Sequence, residues 1–109
     1  IMITSLGRNI YPEAVETAYR IHPQIQNVMI FADQLPHVVG VVVTDAWDLK
    51  IATADLLKLG QESLPEICRI QEFHFLTPTE AKEEGFYTVT GRPLRSQIWQ
   101  TIQTRRNLL

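Results

Sequence analysis

Two rhythms of hydrophobic and polar residues run along the chain, one with a period of two and one near 3.6, and the switches between them define seven predicted elements. Ile1 to Ser5 alternates apolar with small polar residues and reads as a short strand, closed by the turn Leu6-Gly7-Arg8-Asn9. Pro12 then stands where the first residue of a helix tolerates it, and Glu13 falls in the favourable first turn. This helix is predicted from Pro12 to about Arg20. Val15, Ala18 and Tyr19 form its inner stripe, Glu13, Glu16 and Thr17 look outward, and His22-Pro23 ends it.

Two β-branched runs follow, Val28 to Ala32 and Val38 to Val43, joined by the turn-forming Asp33-Gln34-Leu35-Pro36-His37. They read as an antiparallel hairpin. The second run is so continuously apolar that both of its faces are expected to be covered, and Gly40 within it marks a bulge or a close backbone approach. A second helix is predicted within Ala46 to Leu59, with Leu49, Ala52, Leu56 and Leu59 near one stripe, and a further short helix before Pro65 or through Glu66 to Cys68. Ile70 to Leu76 alternates as a third strand of the same sheet, placing Ile70, Glu72, His74 and Leu76 on one face and Gln71, Phe73 and Phe75 on the other. Thr77 to Phe86 reads as a charged connection, a solvated segment or one helical turn. Leu94 to about Arg105 closes the chain as a helix with Leu94, Ile98, Thr101 and Ile102 inside. The order β-α-β-β-α-β-α defines an α+β class: a small central sheet of about three strands with helices packed on it. No internal repeat, low-complexity tract or linker interrupts it.

Composition narrows the function classes. With 109 residues, 45% of them hydrophobic and 20% charged, residues 1–109 are expected to form one small domain with a modest core. The formal net charge of -2 and the pI of about 5.9 give no footprint for nucleic acid or an anionic membrane. No apolar run approaches the length of a membrane span, and the first residues lack a signal-peptide pattern. A single cysteine, Cys68, excludes an internal disulfide and a cysteine-rich metal site, which suits a cytoplasmic setting.

The stretch with most chemistry is Thr88-Val89-Thr90-Gly91-Arg92-Pro93-Leu94-Arg95, where two guanidinium groups, two hydroxyls of Thr88 and Thr90 and a glycine precede the last helix. Thr and Gly let backbone N–H groups approach a ligand, and Arg offers a planar fork of donors matched to carboxylate or phosphate. A Gly-Arg-Pro turn is also ordinary punctuation before a helix.

A second stretch changes the weighting. The segment Ile3 to Glu16, containing Gly7-Arg8-Asn9-Ile10-Tyr11-Pro12-Glu13-Ala14-Val15-Glu16, resembles the opening of the small C-terminal domain of the adenylate-forming enzymes, the acyl-CoA synthetases and their relatives. Thr88 to Arg95 resembles the closing "T-x-T-G-K-x-x-R" loop of that domain. The two motifs, with the hairpin and helix between them, cover nearly the whole chain.

The resemblance implies a mobile lid that follows a large N-terminal domain binding ATP, Mg2+ and a carboxylic acid, here leaning toward fatty acids. The lid swings between two poses. In the first, the closing-loop lysine, replaced here by Arg92, bridges the acyl carboxylate and the nucleotide while pyrophosphate leaves, with Thr90 and Gly91 as its binding neighbours. Arg92 either retains that electrostatic role or leaves adenylation weakened or lost. In the second pose Gly7 faces the active site and helps form the passage for the pantetheine of coenzyme A. Arg8 pairs with a phosphate of coenzyme A or with Glu16, and both options stand. The hinge, an Asp or Lys just upstream of the first strand, lies outside the chain, which is expected of a segment beginning after it.

The other polar residues fit structural roles. His22, His37 and His74 lack metal-ligand spacing with one another or with Cys68, no metal site is expected, and Trp47 and Trp99 read as helix packing. Two functional classes follow: part of an enzyme, either an acyl-CoA synthetase or a fatty acyl-AMP ligase that passes the acyl group to an acyl carrier protein, or a non-catalytic docking or regulatory module of the same fold. The isolated chain is expected to be inactive, because it shows no phosphate-cradling glycine-rich loop and no magnesium-binding carboxylate set.

Overall fold

The computed structural model describes residues 1–108. Strands β1 (Met2–Ile3) and β2 (Asn9–Ile10) form a small antiparallel hairpin, followed by helix α1 (Pro12–Arg20), the antiparallel pair β3 (Ile25–Phe31) and β4 (Val38–Thr44), and helix α2 (Leu49–Ser63). A 3-10 turn over Glu66–Cys68 leads into β5 (Ile70–Leu76), and helices α3 (Pro78–Glu83) and α4 (Arg95–Leu108) complete the chain. β5 lies parallel to β4, so the main sheet has the order β3-β4-β5 and three strands, as the periodicity predicts. The first strand is shorter than predicted. It pairs with β2 rather than joining this sheet, and the Thr77 to Phe86 connection holds a full helix, α3, fixed by a reciprocal capping box between Thr77 and Glu80.

The helices cover both faces of the sheet. On one, Val38 and Val42 of β4 meet Val15 and Tyr19 of α1 and Leu56 of α2. On the other, Val39, Val41 and Val43 meet Ala81 of α3, Phe86, and Ile98 and Ile102 of α4. This explains why β4 is apolar without alternation: all seven of its residues are buried. Gly40 is where the adjacent strand β5 crowds β4, since a Cβ placed there would stand 2.6 Å from Ile70 Cδ1. The crowding coincides with a register shift: Val38 pairs with Ile70 but Val39 with Glu72, so Gln71 is the extra residue of a bulge. The strict alternation predicted for β5 therefore breaks after its first residue. Ile70 shares its core with Phe73 and Phe75, whereas Leu76 belongs to the other.

Two aromatic predictions separate. Trp99 stacks on Phe31 with ring centroids 5.0 Å apart, but Trp47 is 93% exposed and packs against no helix. Leu49 and Leu94, assigned to inner stripes, are exposed, Leu49 as the first residue of α2 and Leu94 just before α4.

Candidate functional site

The most consequential departure from the sequence reading is Glu16. Its residue is 1% exposed, although a charged side chain in the first half of a short helix was expected to face water. It stays ionically matched because three groups converge on it: Arg95 Nη2 donates to Oε1 at 2.9 Å, the Ile30 N–H donates to Oε2 at 2.9 Å, and Arg20 Nη2 lies 3.7 Å from Oε1. Arg95 Nη1 also donates to the Ile30 carbonyl at 3.4 Å. β3 is the outer strand on this side among the described residues, so the peptide groups of Ile30 would otherwise be an open edge. The pair of side chains closes it. Arg95 is thus a structural residue, and Glu16 is occupied by Arg95 and Arg20 rather than by Arg8, which removes one of the two partners considered for Arg8.

The motif residues occupy two loops with one geometry. In the first, the Thr4 N–H donates to the Arg8 carbonyl at 2.9 Å, the Gly7 N–H to the Thr4 carbonyl at 2.9 Å, and the Arg8 N–H to Thr4 Oγ1 at 3.1 Å. In the second, the Thr88 N–H donates to the Arg92 carbonyl at 2.9 Å, the Gly91 N–H to the Thr88 carbonyl at 2.9 Å, and the Arg92 N–H to Thr88 Oγ1 at 3.0 Å. Gly7 and Gly91 hold φ values of +79° and +87°, a left-handed conformation that costs a Cβ-bearing residue strain and explains glycine at both places. The flanking pairs correspond too, Ile3 with Asn9 and Tyr87 with Pro93. Although no long repeat exists in the sequence, the structure repeats this five-residue Thr-x-x-Gly-Arg loop. Its signal was present as two short matches, too brief to stand out as a repeat.

The loops stand apart. Thr4–Arg8 docks on the β3–β4 connection, where the Ser5 N–H donates to the Leu35 carbonyl at 2.9 Å and the Gln34 N–H to the Ile3 carbonyl at 2.7 Å. Thr88, Val89 and Gly91 instead border an open groove of about 690 Å³ lined by Gln26 and Asn27 at the start of β3 and by Pro78 and Lys82 beyond β5. These are opposite ends of the sheet, separated by a strand length of about 20 Å. So Gly7 and Arg8 come together at one end, and Thr90, Gly91 and Arg92 at the other. Arg8 and Arg92 are both exposed, and neither guanidinium has a hydrogen-bond or ion-pair partner among the described residues. Each loop also lifts an aliphatic side chain into solvent, Leu6 at 71% and Val89 fully. No group of three or more His, Cys, Asp or Glu side chains is placed to hold a metal among the described residues. No helix is long and apolar enough to cross a membrane.

No family model matches the chain, and no characterised protein matches it in sequence. Solved structures do match in shape. The A domain of carboxylic acid reductase from Segniliparus rugosus, in complex with AMP and a co-purified carboxylic acid, is 21% identical with a TM-score of 0.75 over 99% of this chain and 19% of its own. An ATP-bound RpMatB–BxBclM chimera is 17% identical with a TM-score of 0.68 over 87% of this chain and 19% of its own. A double mutant of o-succinylbenzoate CoA synthetase from Bacillus subtilis, bound with its product analogue, is 22% identical with a TM-score of 0.55 over 84% of this chain and 18% of its own. These are adenylate-forming enzymes, and the chain spans less than a fifth of each. At such identities the likeness is one of fold: the chain has the fold of one small part of an adenylate-forming enzyme.

Proposed function

We propose that the chain is the mobile C-terminal domain of an ATP-dependent, AMP-forming acid–thiol ligase, an acyl-CoA synthetase that acts on a fatty acid in the cytoplasm. The observation that carries this reading is the pair of unpartnered guanidinium loops at opposite ends of one rigid sheet. A rigid body with two such loops can present only one of them to a single cleft at a time, so using both requires the body to turn. Two half-reactions give that turn a purpose. In the first, a carboxylate oxygen bonds to the α-phosphorus of ATP, the bond to pyrophosphate breaks, and Arg92 offers positive charge to the anions that meet there. Thr90 and Gly91 set its approach. In the second, Gly7 and Arg8 face the adenylate while the thiol of coenzyme A attacks the acyl carbon. The N-terminal domain of the same enzyme supplies the acid pocket, the nucleotide site and Mg2+.

The test is made on the full-length protein that carries this chain, with wild type, Arg92→Ala and Arg92→Lys measured in adenylate formation and in thioester formation from pre-made acyl adenylate. Arg92→Ala is expected to lower adenylation by about 10²–10³-fold, as loss of one preorganised cationic or hydrogen-bonding group does, while sparing transfer. Arg92→Lys is expected to retain most of the first half-reaction. Unchanged adenylation in Arg92→Ala would remove the catalytic reading and leave a docking or regulatory module. Coenzyme A and a phosphopantetheinylated acyl carrier protein, supplied in parallel as acceptors, separate the synthetase from a fatty acyl-AMP ligase.

A further inference from the structure

The two Thr-x-x-Gly-Arg loops agree in three hydrogen bonds to within 0.1 Å, in the sign and size of the glycine φ, and in the strand pair that closes each. Each then leaves the same kind of side chain, a guanidinium immediately after the glycine, exposed and without a partner among the described residues. Local hairpin preference accounts for one such loop. It does not account for an unpaired arginine at the matching position of both, on a protein whose other motif arginine, Arg95, is held in a salt bridge. We propose that Arg8 is the counterpart of Arg92, so that after the domain turns, the Arg8 guanidinium takes the same phosphate-side anion position that Arg92 occupied before. This rests on the two-pose reading above.

The chemistry asks for such a replacement. In the transfer step the thiol loses its proton to solvent, its sulfur bonds to the acyl carbon, and the carbon–oxygen bond to the phosphate breaks. AMP leaves with the bonding electrons, so negative charge grows on its phosphate. A cation aimed at that oxygen lowers the barrier most when it is already in place, and the first-pose cation has by then turned away. Arg8 reaches the position on a backbone of the same shape. Arg also offers the planar fork that matches phosphate oxygens.

The experiment uses the full-length protein with Arg8→Ala, Arg8→Lys and the double variant Ser5→Val with Leu6→Thr, which makes the first loop identical in sequence to the second. Arg8→Ala is expected to slow thioester formation from pre-made acyl adenylate by about 10²–10³-fold while leaving adenylation within about twofold, the mirror image of Arg92→Ala. Arg8→Lys should recover a substantial part of the loss. The loop-converting double variant, which keeps the hairpin and Arg8, should transfer at a rate within about tenfold of wild type. A thermal midpoint unchanged in Arg8→Ala is the accompanying readout, because an arginine that merely supported the fold would lower it. If Arg8→Ala transfers normally, or loses both half-reactions equally, the counterpart role is overturned. When Arg92→Ala shows its expected selective loss and Arg8→Ala shows none, this inference fails alone, whereas failure of the Arg92 result removes the two-pose reading beneath it.

Discussion

Arg92 and Arg95 stand three positions apart and carry the same guanidinium in opposite situations. Arg95 neutralises a carboxylate that is almost wholly buried, and without it Glu16 would keep only the Ile30 N–H and the more distant Arg20. Leaving a buried acceptor short of one partner typically costs about 1–3 kcal/mol, and the larger cost of breaking a fully buried ion pair does not apply because Arg95 is itself 38% exposed and Arg20 remains 3.7 Å away. Arg95→Ala is therefore expected to lower unfolding free energy by about 1–3 kcal/mol in a urea titration. Arg92→Ala should stay within about 0.5 kcal/mol of wild type, since an exposed, unpaired side chain is lost without stranding anything. Equal destabilisation by both would contradict the division drawn between them. Of the two, only the exposed one was readable as a candidate from the sequence. The position of Glu16 on α1 suggested solvent, and its partner lies 79 residues away, so no local pattern could show that a fold-level contact would draw the carboxylate inside.

At the scale of elements, Glu72 on β5 ties three parts of the structure together. Its carboxylate is met by His74 Nε2 at 2.6 Å on the same strand, by His37 Nε2 at 3.2 Å just before β4, and by Arg106 Nε at 2.8 Å on α4, which also lies over Trp99. Partial burial pushes this carboxyl up, but the hydrogen bonds from His74 and His37 and the charge of Arg106 together hold it below its ordinary 4.5. A carboxyl depressed in the folded state stabilises the fold above its unfolded value and ceases to do so as pH falls through the folded one. Wild type should thus lose stability as pH drops below about 4.5, and Glu72→Gln should flatten that acid limb while changing little of its slope elsewhere. Urea midpoints measured between about pH 6 and 3 would reveal a parallel pair of curves if the cluster carried no such linkage. The elements themselves were legible: both long helices, the three main strands and the doubly covered β4 follow from periodicity and β-branched runs. The bulge at Gln71 was not, because it sits where Ile70 fills the space over Gly40 on a neighbouring strand, and alternation within β5 holds no information about that neighbour.

For the whole molecule, two cores on the two faces of a single sheet give the domain the means to fold independently, while its two cationic loops point toward surfaces outside it. Fold and candidate loops were both within reach of the sequence, since each motif is local, but their equivalence and their placement at opposite ends depend on how the sheet is ordered. That placement also separates folding from activity. In the proposed reading the nucleotide and acid sites lie on another domain, and the sequence holds no glycine-rich loop of the kind that cradles phosphates. The purified 109-residue chain is accordingly expected to unfold cooperatively in urea, with a sigmoidal transition, yet to catalyse no ATP–pyrophosphate exchange above a protein-free blank. Exchange above that blank would show that the nucleotide site lies within these residues, and the assignment of the chain as a lid over another domain's site would then fail, however well its fold matches.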